Sequence, residues 1–273
     1  MSPSLDAQSV VTPRLSPKVF ARVCELTYDI CGIVLRTGKE ELVQSRLTRR
    51  LRACGLGSYE AYLDLVERDP LELASMVDVL TTNKTNFFRE PGHFELMKAL
   101  MQSWRQDDDE IRIWSAACSS GEEPYTIAMW IWEHAPQLVK RVRILATDIS
   151  SIILAKARTG TYANDVLRDV PPTFQSKYFE VSAAREVRVV RKVRDMVKFG
   201  RLNLLDCWPL KRQFRLIFCR NVMIYFDKET QLNLARRFAG HLEDNGQLFI
   251  GHSESLGTSD TGLRYIQPAV YAK

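Results

Sequence analysis

The stretch IRIWSAACSSGEEPYTIAMW, Ile111 to Trp130, decides how this chain folds. Ile111 to Ala117 is a short apolar run of the kind that forms a buried strand. It passes into a turn of small residues, Ala116 to Gly121, and then into a helical pattern that opens on Glu122 and Glu123. Doubly wound sheets bind nucleotides with this strand, turn and helix, at the carboxyl ends of their strands. Small side chains such as Ala117 let a ligand approach the backbone closely.

The surrounding sequence repeats the theme. Val142 to Thr147, Phe214 to Cys219 and Gln247 to Gly251 are further apolar runs, interleaved with helical stretches such as Lys228 to Leu242. Such alternation predicts a parallel sheet with helices on both faces. The segment 177–199 interrupts it. There Val187, Val189 and Val193 fall on one side of an extended reading and Arg188, Lys192 and Arg194 on the other, which predicts a small antiparallel insertion with a basic face.

Upstream the signals are helical. Ser16-Pro17 and Asp69-Pro70 pair an N-cap with Pro at the first helical position, and Glu72 stands where a capping box has its acid. Val43, Leu47 and Leu51 recur at four-residue spacing before Gly55-Leu56-Gly57, a helix and its C-cap, and Ser58 starts another. The expected organisation is a helical domain over 1–82 with about four helices, a linker or lid over 83–94, and an α/β domain over 95–273.

Composition sets outer limits. The 273 residues are 45% hydrophobic and 26% charged, ordinary globular usage with no run near the roughly 20 apolar residues that span a bilayer. The amino terminus MSPSLDAQSV lacks a basic and apolar leader pattern, so the expected location is the cytoplasm, without membrane insertion. Six scattered cysteines without a CxxC pair, and four isolated histidines, predict neither a disulfide framework nor a metal site. Residues 170–215 hold 11 Lys and Arg against 4 Asp and Glu, which favours an acidic partner.

The turn after the first strand lacks the GxGxxG fingerprint, and Glu122 and Glu123 would repel a pyrophosphate there. A cationic nucleoside fits better. Asp148, in RILATDIS, lies where a carboxylate accepts hydrogen bonds from ribose hydroxyls. S-adenosylmethionine combines adenine, ribose, an ammonium and a sulfonium without phosphate, so methyl transfer is the leading chemistry. The plainer alternative is that these acids only cap helices. In RLNLLD and LIFCRNVMIYFD, Asn203, Arg220 and Asn221 directly follow apolar strand residues, at the same sheet edge as Gly121 and Asp148.

Six ordered motifs, LTTNKTNFFREPGHF, WSAACSSGEEPYTIA, ATDIS, NLLD, FCRNVMIYFD and GHSESL, resemble the chemotaxis receptor glutamate methyltransferases, the CheR family, from about residue 15 to the end. The resemblance implies a helical amino-terminal domain and a Rossmann-like methyltransferase domain with an inserted antiparallel sheet. It implies transfer of a methyl group from S-adenosylmethionine to receptor glutamates, giving γ-methyl esters and S-adenosylhomocysteine. The cofactor residues it implies are Asn83, Thr85, Arg89, Glu123, Asp148, Asn203, Leu204, Arg220 and Asn221, with Ala117 in the turn and Tyr225 beside the methyl group. Residues 81–90 then look like a lid anchored by Phe87 and Phe88, and Arg89 is expected to hold the substrate carboxylate.

Methyl-accepting chemotaxis receptors are the implied partners. On a helix over 40–54, Arg46, Arg49, Arg50 and Arg52 form an arc away from the apolar stripe that could lie along an acidic receptor helix, or be merely solvated. Family members that dock a receptor's carboxyl-terminal pentapeptide do so on the inserted sheet, with a longer glycine-rich turn than VSAARE, so tethering is not expected here. One rival, a nucleic-acid methyltransferase, lacks support: Val222 and Met223 replace the two prolines of amine-methylating sites, and no aromatic residue interleaves the basic run 185–194. Another, a non-catalytic module that only senses S-adenosylmethionine, would be favoured by loss of Arg89 or Tyr225, and both are present.

Overall fold

The computed structural model describes residues 14–81, 83–105, 109–257 and 260–273, in two compact units. Four helices make the first unit: α1 (Pro17–Cys31), α2 (Glu40–Ala53), α3 (Tyr59–Arg68) and α4 (Pro70–Leu80). Val43, Leu47 and Leu51 of α2 are buried against Tyr59, Tyr62 and Met76. Helix α2 ends as its glycine predicts. Gly55 adopts φ 67°, its N–H donates to Arg52 O, and Leu56 N–H reaches back to Leu51 O, which together satisfy the last carbonyls. Ser58 and Asp69 cap the following helices through Ala61 N and Leu71 N. Glu72 is not a capping-box acid: it turns inward, where it accepts from Arg50 and from Tyr62 Oη at 2.7 Å.

The second unit is built on a seven-stranded sheet. In chain order its elements are α5 (Pro91–Trp104), β1 (Ile111–Ala116), α6 (Glu122–His134), β2 (Val142–Asp148), α7 (Ser151–Thr159), β3 (Thr161–Ala163), α8 (Pro172–Tyr178), β4 (Phe179–Ala183), β5 (Glu186–Val189), α9 (Arg191–Arg194), β6 (Val197–Arg201), β7 (Phe214–Cys219), α10 (Lys228–His241), β8 (Leu242–Ile250), β9 (Arg264–Gln267) and β10 (Val270–Ala272). The order across the large sheet is β6-β2-β1-β7-β8-β10-β9. The first five of these run parallel, and β10 is antiparallel to both its neighbours, β8 and β9. From β1 the chain moves outward through β2 to β6, then returns to the other side of β1 as β7. Strand order therefore reverses between β1 and β7, the switch point at which open α/β sheets hold their ligands.

The insertion differs from the expected one. Its three-stranded antiparallel sheet is β3-β5-β4, closed by a tight turn at Ala184-Arg185. Val193, Lys192 and Arg194 are not on a strand: they lie in the short helix α9, which starts where Val190 N–H bonds Tyr178 O. Val197–Arg201 joins the large sheet instead, in register with Ile144–Asp148. The valine alternation reads as one strand because a single helical turn keeps Val193 on the buried side.

Candidate active site

The ends of β1, β2, β6 and β7 bring the candidate residues to one edge of the sheet. After β1 the backbone turns through three left-handed residues, Ala117 (φ 61°), Ser119 (φ 50°) and Gly121 (φ 95°). Such conformations cost about 1 to 3 kcal/mol in a non-glycine residue and collect at functional sites. Asn221, after β7, is also left-handed at φ 59°, as are Phe88 and Glu90 in the lid.

Asp148 is buried and holds this turn in place. One of its oxygens accepts from Ser119 N–H at 2.9 Å and the other from Ser150 N–H at 3.0 Å, so the β1 and β2 loops share one carboxylate. A carboxylate offers about four lone-pair positions, so both oxygens can take hydroxyl donors as well. Beside it the Cys118 thiol is fully buried, and burial, with Asp148 next, pushes its pKa well above the usual value, so it stays neutral. Asn203 follows β6, where Leu202 N–H bonds Asp148 O. Its side chain accepts from Leu205 N–H and donates to Asp206, the geometry of a turn residue. Leu204 is buried, and its carbonyl accepts from Arg237 and Trp208.

The two acids that open α6 diverge. Glu122 is buried against Ser120 Oγ, and desolvation raises its pKa. Glu123 accepts from Ser115 Oγ and from Arg220 Nε, each at 2.6 Å. Arg220 is sealed in, with 2% of its side chain exposed, beside the rings of Phe94 and Phe218. Its Nη1 donates to the carbonyl of Arg89 at 2.7 Å, so the residue after β7 fixes the backbone of the lid. Ser119 Oγ fixes the other end of the lid, donating to Asn83 O at 3.0 Å.

The lid is anchored by its phenylalanines. Phe87 is fully buried, edge-on to Tyr162 of β3 and Phe179 of β4 at 5.1 Å each, and Phe88 packs against Phe174 of α8 at 4.8 Å. The inserted sheet and α8 are thus the floor on which residues 83–90 rest. Thr85 and Arg89 are half-buried, and Arg89 Nη1 donates to Lys84 O. Tyr225 is half-buried on the short turn after Asn221.

Several residues beside these are not among the expected ones. Glu90 Oε1 accepts from Asn221 Nδ2 and from His252 N–H, both at 3.3 Å. The histidines are not all isolated: the His93 and His252 rings lie 4.8 Å apart, and with Glu90 they bring possible ligand atoms within 4.8 Å of one another. Arg220 Nη1 stands 3.4 Å from His93 Nδ1 and 3.6 Å from Glu90 Oε2, so this cluster already contains a cation. Burial first, and Arg220 second, lower the His93 pKa to about 4, which keeps the ring neutral. Glu254 is the other newcomer, a buried carboxylate under the loop after β7. Only the quoted GHSESL motif hinted at His252 and Glu254.

In the first unit the arginine arc of α2 is not uniformly open. Arg46 Nη1 donates to the carbonyls of Leu80 and Thr81, at the end of α4, and Arg50 pairs with the buried Glu72. Arg49 and Arg52 are exposed.

The edge at β1 and β2 is acidic. A buried carboxylate, Asp148, ends β2, two acids open α6, and the turn 117–121 contains no lysine or arginine. Two family models cover almost the whole chain: the CheR methyltransferase SAM binding domain over residues 83–271 and the CheR methyltransferase all-alpha domain over 18–81. A "Chemotaxis protein methyltransferase" of Borreliella burgdorferi is 39% identical over 93% of each chain. The "Chemotaxis protein methyltransferase 2" of Pseudomonas aeruginosa is 40% identical over 93% of this chain and 92% of its own. That of Escherichia coli is 40% identical over 94% and 91%. With both family domains in order over almost its whole length, the chain belongs to the CheR methyltransferases, and S-adenosylmethionine is its cofactor.

Proposed function

We propose that this methyltransferase acts in chemotaxis, transferring methyl groups to glutamate side chains of methyl-accepting receptors as γ-methyl esters, in the cytoplasm and without a receptor-tail tether. The observation that carries the reading is the lid. Its backbone is bound at Asn83 and Arg89, its phenylalanines are buried, and Arg89 is left half-buried on a fixed main chain. The names of the full-length relatives support the chemotaxis role.

S-adenosylmethionine supplies an electrophilic methyl on a sulfonium. A glutamate carboxylate, with pKa about 4.3, is already ionised at neutral pH and needs no general base. The protein's task is placement and exclusion of water, and orienting two reactants can lower a barrier by about 7 to 11 kcal/mol. Arg89 holds one carboxylate oxygen and leaves the other to attack. Asp148 binds the ribose hydroxyls, and Asn83, Thr85, Ala117, Glu123, Asn203, Leu204, Arg220 and Asn221 complete the cofactor wall directly or through the backbone they hold. Tyr225 flanks the methyl group. Exposed Arg49 and Arg52, beside Arg46 and Arg50, give α2 a positive face for an acidic receptor helix.

The deciding experiment incubates the protein with radiolabelled S-adenosylmethionine and receptor-bearing membranes. Label that leaves as methanol in mild base is an ester, the expected result. Label stable to base, or incorporated into nucleic acid, would overturn the proposal.

A further inference from the structure

The loop after β7 carries Asn221 and Tyr225, yet it is short, starts on a left-handed residue and sits at the end of a strand. Its shape is imposed from below. Glu254 Oε2 accepts from Gly251 N–H at 2.5 Å and from Asn221 N–H at 3.0 Å, while Oε1 accepts from Ile224 N–H at 3.2 Å. One carboxylate thus gathers amides from the start and the middle of the loop and from the end of β8. It is nearly sealed, with 8% of the residue exposed. Gly251 is part of the same fit. A Cβ there would stand 2.5 Å from Asn221 Nδ2, 2.8 Å from Asn221 N and 2.9 Å from Glu254 Oε2, so any side chain would push the loop off its seat.

We propose that Glu254 is a positioning residue for methyl transfer, whose carboxylate, seated on the amides of Gly251, Asn221 and Ile224, sets the loop that presents Asn221 and Tyr225. This rests on the assignment of Asn221 and Tyr225 to the reaction site. A carboxylate suits the task because the amides of Gly251, Asn221 and Ile224 are all donors to it. An amide of the same shape can accept on one side only. In Glu254→Gln the oxygen settles toward the two donors, Gly251 and Asn221, and the NH2 is left against Ile224 N–H. The Ile224 side loosens, and Tyr225 moves with it.

The test compares Glu254→Gln, Gly251→Ala, Tyr225→Ala and Asn221→Ala in the full-length chain. S-adenosylhomocysteine binding is measured by calorimetry, receptor methylation kinetics at saturating cofactor, and folding by thermal denaturation. The expected result for Glu254→Gln is a kcat lower by about 10- to 100-fold, as for a misplacement near 1 Å. The receptor KM and the affinity for S-adenosylhomocysteine should change less than threefold. Gly251→Ala, which keeps the carboxylate and displaces the loop, should reproduce the kcat loss and carries the test if the glutamine variant does not fold. If both loop variants turn over within threefold of wild type while Tyr225→Ala is impaired, Glu254 is a turn cap and the proposal fails. If Tyr225→Ala and Asn221→Ala are themselves fully active, the assignment of the loop to the site fails, and the proposal with it.

Discussion

Arg220 at the end of β7 has 2% of its side chain exposed, and Arg50 on α2 has 28%. Both pair with a buried carboxylate, Glu123 in one case and Glu72 in the other, but the surroundings set different tasks. Around Arg220 lie two aromatic faces, a second carboxylate, a histidine and the carbonyl of Arg89. With little water to screen it, such a charge organises everything that touches it. Around Arg50 water reaches the guanidinium, and its neighbours Arg49 and Arg52 are open. An exposed cation orders little locally, yet it attracts partners over a Debye length. The carboxyl edge of the sheet uses charge to fix geometry, whereas the exposed charge of α2 is available for the recognition proposed above.

Removing Arg220 is the harshest test of that contrast. Arg220→Ala leaves the buried Glu123, and Glu90 with 12% of its side chain exposed, without their cation, and breaking a buried pair typically costs about 3 to 5 kcal/mol. Denaturant unfolding of the full chain should register that loss, and S-adenosylhomocysteine binding should fall because the lid loses its hold at Arg89 O. A change below about 1 kcal/mol would mean that the Arg220 network behaves like a surface pair and that the contrast is false.

Arg89 belongs to the same edge but is half-buried, and its variant should separate the two uses of charge within the site. Arg89→Ala is expected to lower kcat by about 100-fold with a smaller loss of cofactor affinity, because orientation of the nucleophile is a transition-state effect. Steady-state kinetics beside calorimetry decides it. Retained kcat with weakened cofactor binding would make Arg89 a cofactor ligand and leave the carboxylate to another group.

Asp148→Ala should act on binding. A charge-assisted hydrogen bond is worth about 1.5 to 3 kcal/mol, or about 10- to 150-fold in affinity, with part of the loss reflecting the loosened Ser119 and Ser150 turns. Unchanged S-adenosylhomocysteine affinity in a folded variant would remove Asp148 from the site and leave it a loop tie.

What the sequence made legible follows from how local each signal is. Ile111 to Trp130 declares itself because strand periodicity, a run of small residues and helix onset are adjacent. Phe87 and Phe88 among polar neighbours likewise point to an anchored lid. Glu254 could not be found this way: its donors Asn221 and Ile224 lie 33 and 30 residues away, and nothing in GHSESL names them. The same is true of Arg46, whose acceptors lie 34 and 35 residues downstream at the end of α4. Alternation also misleads where elements are short. Val187 and Val189 are on β5 but Val193 is on α9, because one helical turn and a strand bury a valine at almost the same spacing.

The smallest expected effect belongs to the open side of α2, and it sharpens the contrast most because it depends on salt. Reversing Arg46 and Arg50 would confound recognition with folding, since both hold carbonyls or a carboxylate inside the first unit. Arg49, exposed on the same helix, is the cleaner site. Arg49→Glu should leave the unfolding free energy within about 1 kcal/mol and reduce the initial rate of receptor methylation several-fold at low salt. The Debye length falls from about 10 Å at 0.1 M to 3 Å at 1 M, so the wild-type rate should decline as salt rises and the variant's should change much less, until the two converge. Removing the receptor's last five residues should leave both curves in place, because the two-residue turn at Ala184-Arg185 has no glycine-rich extension for a tail to dock on. Initial rates on full-length and truncated receptor across a salt series measure all of this together. A rate that collapses on truncation and ignores the charge reversal would move recognition from α2 to the inserted sheet, the surface on which the lid phenylalanines rest.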